Sequence, residues 1–204
     1  MVKEELDSDK VLVIHDFLST EECAGLIQRS ESLRYEPGTV ADVVIENVRN
    51  NERVIVDDVS LATDFFLRAE PSLPAVVDGH ALIGFNERWR FYRYDPGQTF
   101  KPHRDGSYMR TNTWEESQMT FMIYLNDGMT GGETRFYSGM EQAVNQRPYL
   151  SVQPKMGMAL IFLTLYGTKA LPFTVEGSTF FAPMSCIRKS RRSGNARHAP
   201  RNGS

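Results

Sequence analysis

The sequence predicts a mainly β protein with helices at its N-terminal end, an α+β arrangement in which an antiparallel sandwich or barrel follows a helical layer. Three observations predict it. A β-branched apolar run near the N-terminus feeds a helix-start signal, the polarity pattern switches to a period of two from Trp89 onward, and Asp-Pro-Gly, Asn-Asp-Gly and Gly-Gly turns punctuate the chain beyond that point. With 204 residues and 41% hydrophobic content the chain can bury one good core. No internal repeat or linker divides it.

Residues 11–18 (VLVIHDFL) read as a strand. Ser19 to Glu22 follow as a capping box, opening a helix that turns Cys23, Leu26 and Ile27 inward. A second helix is expected over about residues 60–68, with Pro71 and Pro74 stopping it. From Trp89 to Tyr94 apolar and polar residues alternate. Further on, Met119, Phe121, Ile123 and Leu125 share one face of a strand, and Thr120, Met122 and Tyr124 share the other. Candidate strands follow at residues 133–137, 150–153 and 158–163.

Composition narrows the function. The net charge of -3 lacks the basic balance of a phosphate-backbone binder, so nucleic acid is not an expected partner. Cys23 and Cys186 form no CxxC pair, which argues against a zinc site or a disulfide framework and suits a reducing cytoplasm. No apolar run approaches the roughly 18 residues of a membrane span. The chain therefore reads as soluble and cytoplasmic.

His103 and Asp105 stand at i and i+2, and on an extended segment both side chains leave the same face, where one metal could touch them. An imidazole with a carboxylate suits a 2-His-1-carboxylate facial triad on Fe(II). Around them runs RFYRYDPGQTFKPHRDG (residues 90–106), followed by MTFMIYLN (119–126) and GGETRF (131–136). This closely resembles the prolyl 4-hydroxylase-like branch of the Fe(II)- and 2-oxoglutarate-dependent oxygenases. The likeness spans about residues 11–162 and includes the N-terminal VLVIHDFLSTEECAGLI and the segment from Arg49 to Arg53.

The resemblance implies a double-stranded β-helix, or jelly roll, with His103 and Asp105 as iron ligands. It implies that Tyr94 and Thr120 touch 2-oxoglutarate through their hydroxyls, with Tyr124 a further pocket residue. Its cofactors would be Fe(II), 2-oxoglutarate and O2, with ascorbate restoring oxidised iron. The residues themselves leave Tyr94 and Tyr124 open to plain aromatic packing with a hydrogen-bonded hydroxyl. Gly131-Gly132 reads as a tight turn, and His15 and His80 as structural or surface residues outside the sheet pattern.

The family needs a second histidine on a late strand, in a context like H-E-G-x-x-V-x-x-G-x-K-Y, and then a basic residue for the distal carboxylate of 2-oxoglutarate. Neither appears, and the only later histidine is His198 in a polar tail. The genetic code offers a source. Codons allowed for residues 165–170, such as CTT TAC GGC ACG AAG GCG, become TTA CGG CAC GAA GGC when read two bases later, which spells L-R-H-E-G. Continued to Ile187, allowed codons give LRHEGAAVYRGRKYFFRADVMY, with the histidine, glycine and basic residues in place. Thr168 alone confines its shifted codon to Tyr, His, Asn or Asp. The coding frame is therefore expected to slip between about Leu163 and Leu165, leaving a jelly roll without its last strands, and the basic residues from Arg188 to Arg201 fit the same reading.

The expected organisation is a strand and helical support region at 1–87, a jelly-roll core at 88–164 and a poorly ordered, out-of-frame tail at 165–204. The expected function is hydroxylation of a C–H bond coupled to decarboxylation of 2-oxoglutarate to succinate. Its substrate would be a peptidyl proline or a small molecule, with no membrane partner. The alternatives are a catalytically dead or metal-poor binding protein on the same scaffold, and a metal-free cupin-like binder of sugars or small molecules.

Overall fold

The structure, a computed structural model, describes residues 1–8, 10–39, 48–110, 112–113 and 115–164, together with the backbone of 173–176 and 180–189. The chain opens with β1 (Val2–Asp7), an edge strand antiparallel to β2 (Val11–His15). β1 was not expected, because its Lys and Glu residues break the apolar pattern. Charged residues are what an edge strand needs to avoid pairing with other chains.

α1 (Thr20–Glu31) starts as the sequence predicts: the Ser19 hydroxyl accepts the Glu22 N–H and the Glu22 carboxylate accepts the Ser19 N–H. It buries Cys23 and Leu26, with Ile27 partly covered. β3 (Glu36–Pro37) pairs with β4 (Glu52–Asp57). α2 (Val59–Ala69) is capped by Asp58, whose carboxylate accepts the Leu61 N–H at 2.9 Å and also meets Arg29 of α1 at 2.7 Å. Pro71 does not stop the chain at once; it sits near the start of a 3-10 turn at Glu70–Ser72, where its missing N–H costs nothing.

The strands β5 (Val76–Val77), β6 (His80–Phe85), β7 (Arg88–Arg93), β8 (Thr99–His103), β9 (Met109–Arg110) and β10 (Glu115–Tyr124) come next. Then come β11 (Thr134–Phe136), the short α3 (Met140–Val144), β12 (Leu150–Val152), β13 (Ala159–Leu163), β14 (Phe173–Glu176) and β15 (Phe180–Lys189). The large sheet runs β1-β2-β13-β10-β15-β7-β4-β3, with β5, β6 and β9 attached beside it, and the small sheet runs β12-β11-β14-β8. All pairings are antiparallel.

Two apolar layers result. Met119, Phe121 and Ile123 on one face of β10 pack with Trp89, Phe91 and the inward faces of α1 and α2. Edge-on ring pairs tie this layer together, with Phe17 at 5.5 Å from Phe65 and 5.2 Å from Phe121, and each such pair adds about 0.5–1.5 kcal/mol beyond its buried area. Met122 and Tyr124 face the other way, joining Tyr94, Leu160, Phe162 and, from the small sheet, Phe136 and Val152. The predicted alternation along residues 119–125 is thus the division between a supporting layer and the interior of the jelly roll.

The expectation that the last strands would be missing is corrected. β14 pairs with β8 and β11, and β15 pairs with β10, β6 and β7. Pro172 lies outside the described residues. Pro183 stands opposite Met122, but on its other flank the partners change from β7, ending at Phe181, to β6, beginning at Cys186. A residue without an N–H is tolerated at such an interruption. His198 lies outside the described residues.

Candidate metal and cosubstrate site

The site is carried by β8 of the small sheet, which a tight turn joins to β7 of the large one. Between the strands Gln98 donates its N–H to the Asp95 carbonyl at 3.0 Å, with Pro96 second in the turn and Gly97 third at φ +83°. Proline followed by a left-handed glycine is a type II pattern, in which a side chain at Gly97 would be strained. The Asp95 N–H reaches the Gln98 side-chain carbonyl at 2.9 Å. β8 is then held on its second edge by residues 48–50: Lys101 donates to the Val48 carbonyl at 2.9 Å, and Thr99 to the Asn50 side chain at 2.8 Å.

His103 ends β8, and its Nε2 lies 3.5 Å from Asp105 Oδ1, so the two side chains do share a face. The His103 Nδ1 is 2.7 Å from the Lys101 carbonyl. A carbonyl can only accept, so Nδ1 carries the proton and, in the neutral ring, Nε2 presents a lone pair toward the carboxylate. Two acceptors converging in this way are satisfied by a cation or a shared proton. The ring is also stacked on Phe100 at 3.5 Å between centroids.

Thr120 donates its hydroxyl to Asp105 Oδ2 at 2.6 Å. Burial pushes the Asp105 pKa up, but the neighbouring His103, the Thr120 hydroxyl and the Arg90 guanidinium outweigh it and hold the carboxyl below its ordinary range. Tyr94 is buried to 2% exposure in the interior layer, and burial pushes its phenol pKa up, with Arg49, Tyr92 and Asp105 as its charged or ionisable neighbours. Tyr124 is fully buried, its hydroxyl shares a 2.6 Å hydrogen bond with Thr134, and burial raises its pKa too. That geometry matches the packing alternative for Tyr124.

Gly131 and Gly132 take φ of +84° and +81°, as a tight turn requires. His15 pairs with Glu4 at 2.7 Å at the end of β2, and His80 bonds the Asp78 carbonyl at the start of β6, so both belong to strands.

Two guanidiniums border the site and were not singled out in the sequence. Arg49, 4% exposed, lies over the rings of Tyr92 and Phe100 at 4.3 and 4.4 Å. Arg90 sits on β7 between Trp89 and Phe91, which point into the supporting layer, so it shares the opposite face with Tyr92. The alternation from Trp89 to Tyr94 was the signal that could have found Arg90. Nothing in the sequence around Arg49 marks it as buried.

For Fe(II) the donor chemistry fits at two positions, one imidazole nitrogen and one carboxylate. Among the described residues no group of three His, Cys, Asp or Glu could hold a metal. Opposite His103 on β14 stands Phe173, which has no ligating atom. The set is one ligand short of a facial triad.

Residues 89–178 match the model of the 2OG-Fe(II) oxygenase superfamily. Prolyl 4-hydroxylase 1 of Arabidopsis thaliana is 31% identical over 140 residues, covering 63% of this chain and 47% of that protein. Probable prolyl 4-hydroxylase 3 of the same plant is 27% identical, covering 76% and 58%. The chain thus spans about half the length of these curated relatives. Among solved structures, a prolyl-4-hydroxylase from Pseudomonas putida aligns with a TM-score of 0.60 at 18% identity, over 89% of this chain and 94% of that one. A prolyl hydroxylase of Trichoplax adhaerens, in complex with a hypoxia inducible factor peptide, aligns at 0.65 and 15% identity, over 89% and 85%. The matched segment runs from the start of the alternating pattern through the His-x-Asp pair, so in these residues the chain is similar to the 2OG-Fe(II) oxygenase superfamily, and it shares the jelly-roll fold of the solved prolyl hydroxylases.

Proposed function

We propose that this chain is built as an Fe(II)- and 2-oxoglutarate-dependent dioxygenase in which His103 and Asp105 hold the metal. The observation that carries this is the convergence of His103 Nε2 and Asp105 Oδ1 at 3.5 Å, with the imidazole tautomer set by the Lys101 carbonyl. Bound iron would supply the oxidising chemistry that couples decarboxylation of 2-oxoglutarate to hydroxylation of a C–H bond. The protein's own part is positioning. Thr120 fixes the carboxylate, Phe100 fixes the imidazole ring, and Tyr94 presents a phenol from the interior layer beside them. The substrate would be a peptidyl proline, as the relatives' names suggest, or a small molecule, in the cytoplasm. Among the described residues no helix is long and apolar enough to cross a membrane.

The missing third ligand belongs to this proposal. A coding frame that slips between about Leu163 and Leu165 would replace a histidine-bearing strand with the visible C-terminus. A second reading, a binding protein with iron weakly held or absent, is favoured by the lack of a third ligand among the described residues. Sequencing the gene across these codons, then measuring iron-dependent conversion of 2-oxoglutarate to succinate by the present chain and by a frame-restored version, separates the two. Turnover by the restored chain supports the oxygenase. A restored chain that binds no Fe(II) and forms no succinate refutes it.

A further inference from the structure

A cleft of about 500 Å³ lies between α2 and β6, in the supporting layer and not on the face that carries His103 and Asp105. Its volume falls within the roughly 300–1,000 Å³ of occupied ligand sites. Val59, Ala62, Thr63 and Phe66 line it from α2 at i, i+3, i+4 and i+7, so they form one stripe down the helix. Ile83 and Phe85 line it from β6. Ala62 and Phe85 are buried in the core, and the Phe66 and Phe85 rings meet edge-on at 5.4 Å, which gives the cleft a fixed floor. Val59 and Ile83 are instead 69% and 39% exposed, and apolar area left in water at the margin of a formed cleft marks an interaction surface.

The charged residues that line the cleft give it a sign. Arg110 donates from one Nη to Glu115 and from the other to Glu87, and each carboxylate receives it through a single oxygen. Among the described residues neither carboxylate has a further side-chain partner. Two carboxylates against one guanidinium leave a net negative charge beside the apolar stripe, which attracts a cationic partner and repels an anionic one. A second copy seated here about a two-fold axis would set the same excess of carboxylates against itself. The chain's own basic segment beyond Lys189 carries Arg191, Arg192, Arg197 and Arg201 but no apolar residue larger than Ala or Pro, so it has nothing to fill the floor.

We infer that this cleft docks a short amphipathic helix of a partner protein, its apolar residues laid along the α2 stripe and its Lys or Arg residues meeting Glu87 and Glu115. A helix in a groove presents anchors at i, i+3, i+4 and i+7, the spacing that the α2 stripe itself offers. The inference does not depend on the metal reading, because none of the residues assigned to that site lines the cleft.

Fluorescence anisotropy of the full chain tests this with a labelled peptide of leucine and lysine at helical spacing. That peptide should bind, and versions with every lysine changed to glutamate, or every leucine to glutamine, should not. Thr63→Trp fills the cleft from an exposed position and Ile83→Asp charges its margin; each should weaken the peptide by about tenfold or more, the loss expected of a central anchor. Glu87→Gln cancels the net charge and should weaken it several-fold at low salt, with the difference fading as salt is raised. Leu33→Asp, at an exposed apolar residue outside the cleft, should change nothing. Melting curves matching that of the unaltered chain establish that the variants keep the fold, and if Ile83→Asp melts early, Thr63→Trp decides alone. No binding of the leucine–lysine peptide, equal binding of its glutamate version, or full affinity in a folded Thr63→Trp chain overturns the inference. Two other occupants would overturn it as well. Self-association in sedimentation that Thr63→Trp abolishes would seat a second copy in the cleft, and displacement of the labelled peptide by one of residues 190–204 would seat the chain's own segment there.

Discussion

Replacing Thr120 by valine keeps the shape of the side chain and removes its hydroxyl, isolating the 2.6 Å hydrogen bond to Asp105 Oδ2. A hydrogen bond to a charged group contributes about 1.5–3 kcal/mol. The Asp105 side chain keeps 30% of its exposure, so water can replace part of the lost bond and the lower end of that range applies. Thr120→Val should therefore lower unfolding stability by about 1.5 kcal/mol at neutral pH, and Thr120→Ser should restore most of it. Partners that orient a ligating carboxylate typically account for about 10–100-fold in metal affinity, so Fe(II) binding to a frame-restored chain should weaken by about tenfold. Urea denaturation and equilibrium Fe(II) titration read the two effects. If Thr120→Val leaves both unchanged and weakens only 2-oxoglutarate, the hydroxyl serves the cosubstrate and not the carboxylate, and the positioning argument fails.

His103→Ala or Asp105→Ala in a frame-restored chain should abolish iron-dependent succinate formation, and full turnover in either variant would remove that residue from the ligand set. Gly157→Ala should destabilise by more than the roughly 1–3 kcal/mol of left-handed backbone strain alone, because φ is +78° and the new Cβ would lie 2.2 Å from the Leu18 carbonyl oxygen; a melting curve like that of the unaltered chain contradicts this. Asp58 caps α2, and its bond from the Leu61 N–H, followed by the Arg29 contact, keeps its folded carboxyl below its unfolded range. Its stabilisation is thus present above the unfolded carboxylate pKa of about 4 and is lost as pH falls through the folded one. Asp58→Ala should cost about 1–2 kcal/mol at neutral pH, with the gap closing in acid, and a gap independent of pH in chemical denaturation would rule out the ionised cap.

Local chemistry was legible wherever it repeated or stood next to itself in sequence. The capping box at Ser19 and Glu22, the two faces of residues 119–125 and the His103–Asp105 pair all derive from spacings of two or three residues, and the structure places them as read. Features that depended on distant partners were not legible. β1 looked like a polar terminus because an edge strand needs no apolar face, and Thr120 could not be seen to bond Asp105, 15 residues earlier, before β8 and β10 were brought together. Nor does the sequence show that β15 tolerates Pro183, because the local interruption of its ladder is a property of the sheet.

β10 has a consequence for how such a site can change. Its odd positions, Met119, Phe121 and Ile123, are locked among helices and rings, whereas its even positions face the jelly-roll interior, with Met122 and Tyr124 in the second core and Thr120 bonded to Asp105. Variation confined to the even positions alters the interior layer while leaving the supporting layer behind it in place, so the surroundings of the ligand pair can be explored one side chain at a time. The same change made one residue to either side would instead unsettle the whole wall, which makes the parity of a position, more than its distance from the metal ligands, the better guide to where a selection experiment should randomise.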